Sequence, residues 1–104
     1  MAKEAKKRIR ADFNEACKYR DGYKCRLCTP EENELWVHAH AEVHHIRNRE
    51  DMPNGGYVKE NGITLCPGHH LKVERYPHEY PTWMLYGLIG SSYQQALDAS
   101  KRLC

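Results

Sequence analysis

Residues 35–46 read LWVHAHAEVHHI, and the reading of this stretch decides the fold. Side chains alternate between the two faces of a strand, which puts His38, His40, Glu42 and His44 on one side and Val37, Ala39, Ala41, Val43 and His45 on the other. His44 and His45 therefore face opposite ways, so one imidazole can ligate a cation while its neighbour stays free to accept a proton. Downstream, Pro53-Asn54-Gly55-Gly56 marks a turn-rich loop. Asn61-Gly62-Ile63-Thr64-Leu65 begins a short second strand, and Pro67 suits the first turn of a helix carrying His69, His70 and Lys72. Two strands followed by a helix predict the α+β class.

Upstream, Ile9, Phe13, Ala16 and Cys17 fall at helical spacing, which predicts a helix over residues 3–20, ended by the turn dipeptide Asp21-Gly22. Residues 23–35 form a knuckle with Cys25 and Cys28, then an acidic loop containing Pro30. Beyond Pro77 and Pro81, a helix is expected from about Ser92, with Ser91 or Ser92 as its cap. The expectation is one domain over residues 1–104: an N-terminal helix (3–20), a metal-braced core (23–76) and a C-terminal helical extension (77–104).

A chain of 104 residues, 40% apolar, buries a thin core, for which a metal is a useful brace. Its apolar runs are too short to cross a bilayer, and residues 1–10 are basic without the apolar stretch of a secretion signal. The expected location is the cytoplasm. In a reducing compartment, spaced cysteines hold metal more often than they pair as disulfides. Net charge is only +2, yet Lys3, Lys6, Lys7, Arg8 and Arg10 form one basic cluster and Lys18, Arg20, Lys24 and Arg26 another, each of which reads equally as a phosphate-binding patch or as a solvated helix face.

Cys25-Arg26-Leu27-Cys28 can grip one tetrahedral zinc, and Cys66-Pro67-Gly68-His69 repeats the two-residue gap. Together they make a Cys3His site of a recognised structural type. A redox dithiol is the weaker alternative, because no βαβ pattern surrounds the motif. Cys17 reads as a small buried hydrophobe and Cys104 as a free terminal thiol. His38 and His40 read as surface residues of the strand and His78 as a loop residue. Trp36, Tyr57, Trp83, Tyr86 and Tyr93 read as packing groups.

Four segments in order, RDGYKCRLC (20–28), VHHI (43–46), NGITLC (61–66) and PGHHLK (67–72), resemble the HNH endonuclease family. The resemblance covers about half the chain. It implies a ββα-metal (His-Me finger) unit around one catalytic divalent ion (Mg2+, Mn2+, Ni2+ or Zn2+), with a structural zinc knuckle and flanking helices. It further implies a metal-dependent endonuclease that hydrolyses phosphodiester bonds of double-stranded DNA. On this resemblance His44 and His70 ligate the catalytic ion and His45 is the general base. Asn61 is the middle asparagine, which holds the loop that orients the base and in some members touches the metal. Cys25, Cys28, Cys66 and His69 take the zinc positions, His69 standing where most zinc-braced members have a cysteine. Arg47, Arg49, Lys72 and Arg75 flank the site as phosphate contacts to DNA. By analogy, small free-standing members of the family suggest a phage enzyme acting in the host cytoplasm, with a homodimer or phage packaging proteins as partners. The alternative function is a non-catalytic zinc-binding module that recognises nucleic acid.

Overall fold

The computed structural model describes the backbone of residues 3–103 and the side chains of residues 5–103. Cys104 and the side chain of Lys3 lie outside the described residues. The chain runs α1 (Lys3–Arg20), α2 (Pro30–Asn33), β1 (Glu42–His45), β2 (Gly62–Leu65), α3 (Pro67–Arg75), α4 (Thr82–Leu88) and α5 (Tyr93–Arg102), with single 3-10 turns between β1 and β2. This is a small mixed domain of helices and one two-stranded sheet. No helix among the described residues is long and apolar enough to cross a membrane.

The strands pair antiparallel, with His44 opposite Ile63 and His45 opposite Gly62. The first strand is shorter than residues 35–46 predict. Its partner ends at Leu65, because Cys66 already caps α3, so no ladder remains to hold residues 36–41 extended. They form instead a 3-10 turn at His38–His40, tied down where Trp36 Nε1 donates to Asn33 Oδ1 at 2.9 Å and His38 Nε2 meets the Asn33 carbonyl at 2.5 Å. His38 and His40 therefore do not share the face of His44.

α1 lies across the sheet. Phe13 and Cys17 are buried as the apolar stripe requires. A Cβ at Gly62 would come within 2.5 Å of the Cys17 sulfur and 2.7 Å of the Phe13 ring, so only glycine lets helix and strand approach this closely. Asp21 anchors the far end. Its buried carboxylate accepts Arg20 Nε and Nη2, both at 2.8 Å, and the Thr64 amide at 3.0 Å, with Arg26 Nε at 3.6 Å.

The core gathers Cys25, Ile46, Met52, Ile63, Leu65, Val73, Leu85, Tyr86 and Ala96. Each fully buried branched side chain such as Ile63, Leu65 or Leu85 contributes about 1.5–3 kcal/mol. Ser92 caps α5 by accepting the Gln95 amide at 3.1 Å. That helix buries its small residues, Ala96 and Ser100, against the turns at Pro53–Gly56 and Lys59–Asn61. The C-terminal segment thus braces the loop between the strands. Of the aromatic side chains, Tyr86 is buried, but Trp83 is 75% exposed and packs little.

Candidate metal centres

The first centre is built from three elements. The knuckle after α1 carries Cys25 and Cys28; Cys66 links β2 to α3, and His69 sits in the first turn of α3. Thr29 caps α2 in a capping box with Glu32. Buried Asn33 then pins the knuckle, its Oδ1 accepting the Cys25 amide at 2.9 Å and its Nδ2 donating to the Cys25 carbonyl at 3.1 Å. Cys66 is both a donor atom of the cluster and the N-cap of α3, its sulfur accepting the His69 amide at 3.4 Å. His69 Nδ1 lies 3.5, 3.3 and 3.3 Å from the sulfurs of Cys25, Cys28 and Cys66, and the Cys28 and Cys66 sulfurs are 3.7 Å apart.

These separations fit zinc. Bond lengths of about 2.3 Å to sulfur and 2.0–2.1 Å to nitrogen give tetrahedral edges of about 3.8 Å between sulfurs and about 3.6 Å between sulfur and nitrogen. They do not fit a disulfide, whose sulfurs are about 2.05 Å apart. Burial and the neighbouring Cys25 and Cys66 thiols push the Cys28 thiol well above its ordinary value, an arrangement a dication reverses by stabilising thiolates. The cluster could hold a metal ion such as zinc.

The second centre draws on the next residue of α3, His70, and on β1. His44, on β1, and His70, on α3, face each other with ring centroids 5.3 Å apart. Their ligand atoms and a carboxylate oxygen of Glu74 all lie within 4.8 Å of one another. Glu74 is four residues after His70 on the same helix face, and its Oε1 is 2.9 Å from His70 Nε2. Glu42 Oε1, two residues before His44 on the same strand face, is 2.9 Å from His70 Nδ1. Burial, then the nearby His70 and His45, lower the His44 pKa to about 4, which keeps its imidazole neutral and able to ligate. The residues open onto a polar cleft of about 510 Å3 also lined by His45, Asn48, Arg49 and Glu50. Neither Glu74 nor Glu42 carries a site role in the sequence reading. The signals were present in the i, i+4 spacing from His70 and in the strand alternation from His44.

His45 turns to the opposite face of β1. Its ring lies between Phe13, at 4.6 Å, and Tyr57, edge-on at 4.9 Å. Burial, then Arg49, lower its pKa. Its Nε2 is buried without a hydrogen-bond partner, and the residue also lines the cleft at His44 and His70.

Asn61 is 0% exposed and its hydrogen-bonding capacity is filled. Oδ1 accepts the Arg47 amide at 3.1 Å and the Tyr86 hydroxyl at 2.7 Å, while Nδ2 donates to the Arg47 and Gly56 carbonyls at 3.1 and 3.2 Å. It clamps the loop that follows His45 and has no lone pair to spare for a cation. Gly56, at φ +65°, admits this clamp, since a Cβ there would sit 2.6 Å from Asn61 Nδ2.

Of the four basic residues expected at the substrate, only Arg49 lines the cleft. Arg47 instead lays its guanidinium over the Tyr93 ring at 4.4 Å, because its backbone is held by Asn61 on the α5 side. Lys72 borders the first centre beside Cys28, Trp36 and His69, since it is three residues from His69 on α3. Arg75 is exposed in the last turn of that helix. No family model, curated protein or solved structure matches the chain.

Proposed function

We propose that this protein is a metal-dependent endonuclease of the HNH type that hydrolyses phosphodiester bonds of double-stranded DNA. The observation that carries the reading is the split between adjacent histidines. His44 lies with His70 and Glu74 in one possible ligand set, while His45, outside that set, turns to the other face of the strand and still lines the same cleft. A purely structural metal site has no use for an unligated imidazole beside it. The order β1, β2, α3 around this cleft supports the ββα-metal reading, with zinc at the cysteine cluster as its brace.

In this reading His44, His70 and Glu74 hold a divalent cation. Once bound, the cation supplies Lewis acidity toward a phosphoryl oxygen and neutralises charge on the leaving 3′ oxygen. Two imidazoles and one carboxylate suit manganese, nickel or zinc better than magnesium. Glu42 takes the Nδ1 proton of His70 as a hydrogen bond, fixing the tautomer that presents Nε2. His45 accepts, at Nδ1, the proton of a water whose oxygen forms the new bond to phosphorus. The bond to the 3′ oxygen breaks, and solvent protonates the leaving group. Asn61 holds the loop after His45, so the base is aimed by a rigid backbone.

The experiment is conversion of supercoiled plasmid by the zinc-loaded protein with manganese, nickel or magnesium added. Cutting that chelator stops and that His45→Ala removes, with zinc content unchanged, supports the reading. Tight DNA binding with no cutting under any metal favours the alternative, a zinc-braced recognition module without catalysis.

A further inference from the structure

A second cleft opens beside His45, where α1 meets β1 and the loop that follows it. It is lined by Arg10, Phe13 and Asn14 from α1 together with Val43, His45, Arg49 and Tyr57. Arg49 Nη1 donates to the Tyr57 hydroxyl at 3.1 Å, and the Arg10 guanidinium stands beside the same phenol. Burial alone would raise the Tyr57 pKa, yet the two guanidiniums bring it below the ordinary value. Neither arginine has a carboxylate within ion-pair distance among the described residues. Lys6 continues the basic wall past Arg10 and Tyr57.

Two cations drawn to one neutral oxygen, with no anion between them, repel each other unless an anion joins them. The wall also has a direction. Val43, His45 and Arg49 line both this cleft and the one at His44 and His70, so the two adjoin along these residues. A strand whose scissile phosphate lies at the histidines carries its next phosphates along this wall. Guanidinium forks match phosphate oxygens in pairs.

We infer that Arg10 and Arg49, held in register by Tyr57, bind a backbone phosphate of the substrate strand beside the one being cut. The inference rests on the phosphodiesterase reading of the adjoining cleft. It makes α1 part of the substrate surface, and Tyr57 a positioning residue that aims the two guanidiniums while its ring walls off His45.

The test is duplex binding by the His45→Ala protein, measured over a range of salt concentrations. Each phosphate contact adds about 0.9 to the slope of log K against log salt for duplex DNA. Arg10→Gln and Arg49→Gln are each expected to lower affinity, and the double variant to lower the slope by about 0.9, the worth of the one phosphate they share, with zinc content and melting temperature unchanged. Tyr57→Phe keeps the charge count, so its slope should hold while affinity falls. Lys101→Gln, at an exposed lysine of α5 lining neither cleft, should change nothing. An unchanged slope for the double variant, or an equal drop for Lys101→Gln, overturns the inference. So does unchanged affinity for Tyr57→Phe, as far as its positioning role is concerned. Inorganic phosphate is run alongside, and binding of free phosphate as tight as that of the duplex overturns the strand as ligand. If the slope falls as expected but the wild-type protein cuts no DNA, the phosphate site stands and the nuclease reading falls. Cutting with an unchanged slope removes the phosphate site and leaves the nuclease reading in place.

Discussion

Glu42 Oε1 lies 2.9 Å from His70 Nδ1, which joins the strand that carries His44 to the helix that carries the other imidazole. The opposite nitrogen of the same ring faces Glu74 at 2.9 Å. One histidine is thus held from both sides, with one carboxylate in the proposed ligand set and the other against the opposite ring nitrogen. Metal sites commonly use such a rear carboxylate to fix the tautomer and raise ligand basicity.

Glu42→Gln should therefore weaken manganese binding at this centre by about 10–100-fold, while Glu74→Gln, which removes a direct ligand, should weaken it more. Titration calorimetry on the zinc-loaded protein reads both. Equal affinity in wild type and Glu42→Gln would show that the contact is an incidental surface pair.

Much of this arrangement was legible in the residues. The stripe Ile9, Phe13, Ala16, Cys17 reported α1, the paired gaps of Cys25/Cys28 and Cys66/His69 reported the first cluster, and the alternation at His44 and His45 reported their opposite faces. Local periodicity carries such features because each depends on near neighbours in the chain. What escaped was set by distant partners. Residues 36–41 look like strand, but no second strand is there to pair with them. Phe13 and Tyr57 reach His45 from 32 and 12 residues away, and no spacing rule announces them. Ala96 and Ser100 are too small to mark the buried face of α5 by hydropathy.

Removal of zinc from the cysteine cluster should unfold the chain. Structural zinc sites bind with apparent free energies of about 10–16 kcal/mol, against a total stability of about 5–15 kcal/mol for an ordinary domain. Elemental analysis should find one zinc per chain, lost in Cys28→Ser. Circular dichroism should show loss of the cooperative melt on chelation. A chelated, zinc-free protein that melts as before would remove the cluster as a brace.

The clamp at Asn61 can be tested apart from the metals. Asn61→Ala leaves the Tyr86 hydroxyl and the Gly56 and Arg47 backbone groups without their partner. Each group that stays buried costs about 1–3 kcal/mol, and each kcal/mol lowers Tm by about 4–8 °C in a domain of this size. A melting temperature lowered by less than about 4 °C, the least that 1 kcal/mol produces, would contradict the clamp.

Stability should also fall at alkaline pH. Burial pushes the Cys17 thiol from 9.0 up to about 12 and the Tyr86 phenol from 10.0 up to about 12. Both groups hold their protons more tightly folded than unfolded, so their contribution is complete below pH 9 and drains away as pH rises toward 12. For Cys17 the three-unit difference corresponds to about 4 kcal/mol at the far end of that window. Denaturant midpoints measured at pH 8, 9, 10 and 11 should decline, and Cys17→Ala should flatten the early part of the decline while lowering the neutral plateau. A profile flat to pH 11 would place the thiol in contact with water.

The most direct measurement is anomalous scattering from crystals of the zinc-loaded protein soaked in manganese. The account predicts two separate peaks: zinc among Cys25, Cys28, Cys66 and His69, and manganese bonded to His44, His70 and Glu74 with His45 unligated. A manganese peak that lies elsewhere, or one that takes His45 as a ligand, would contradict it.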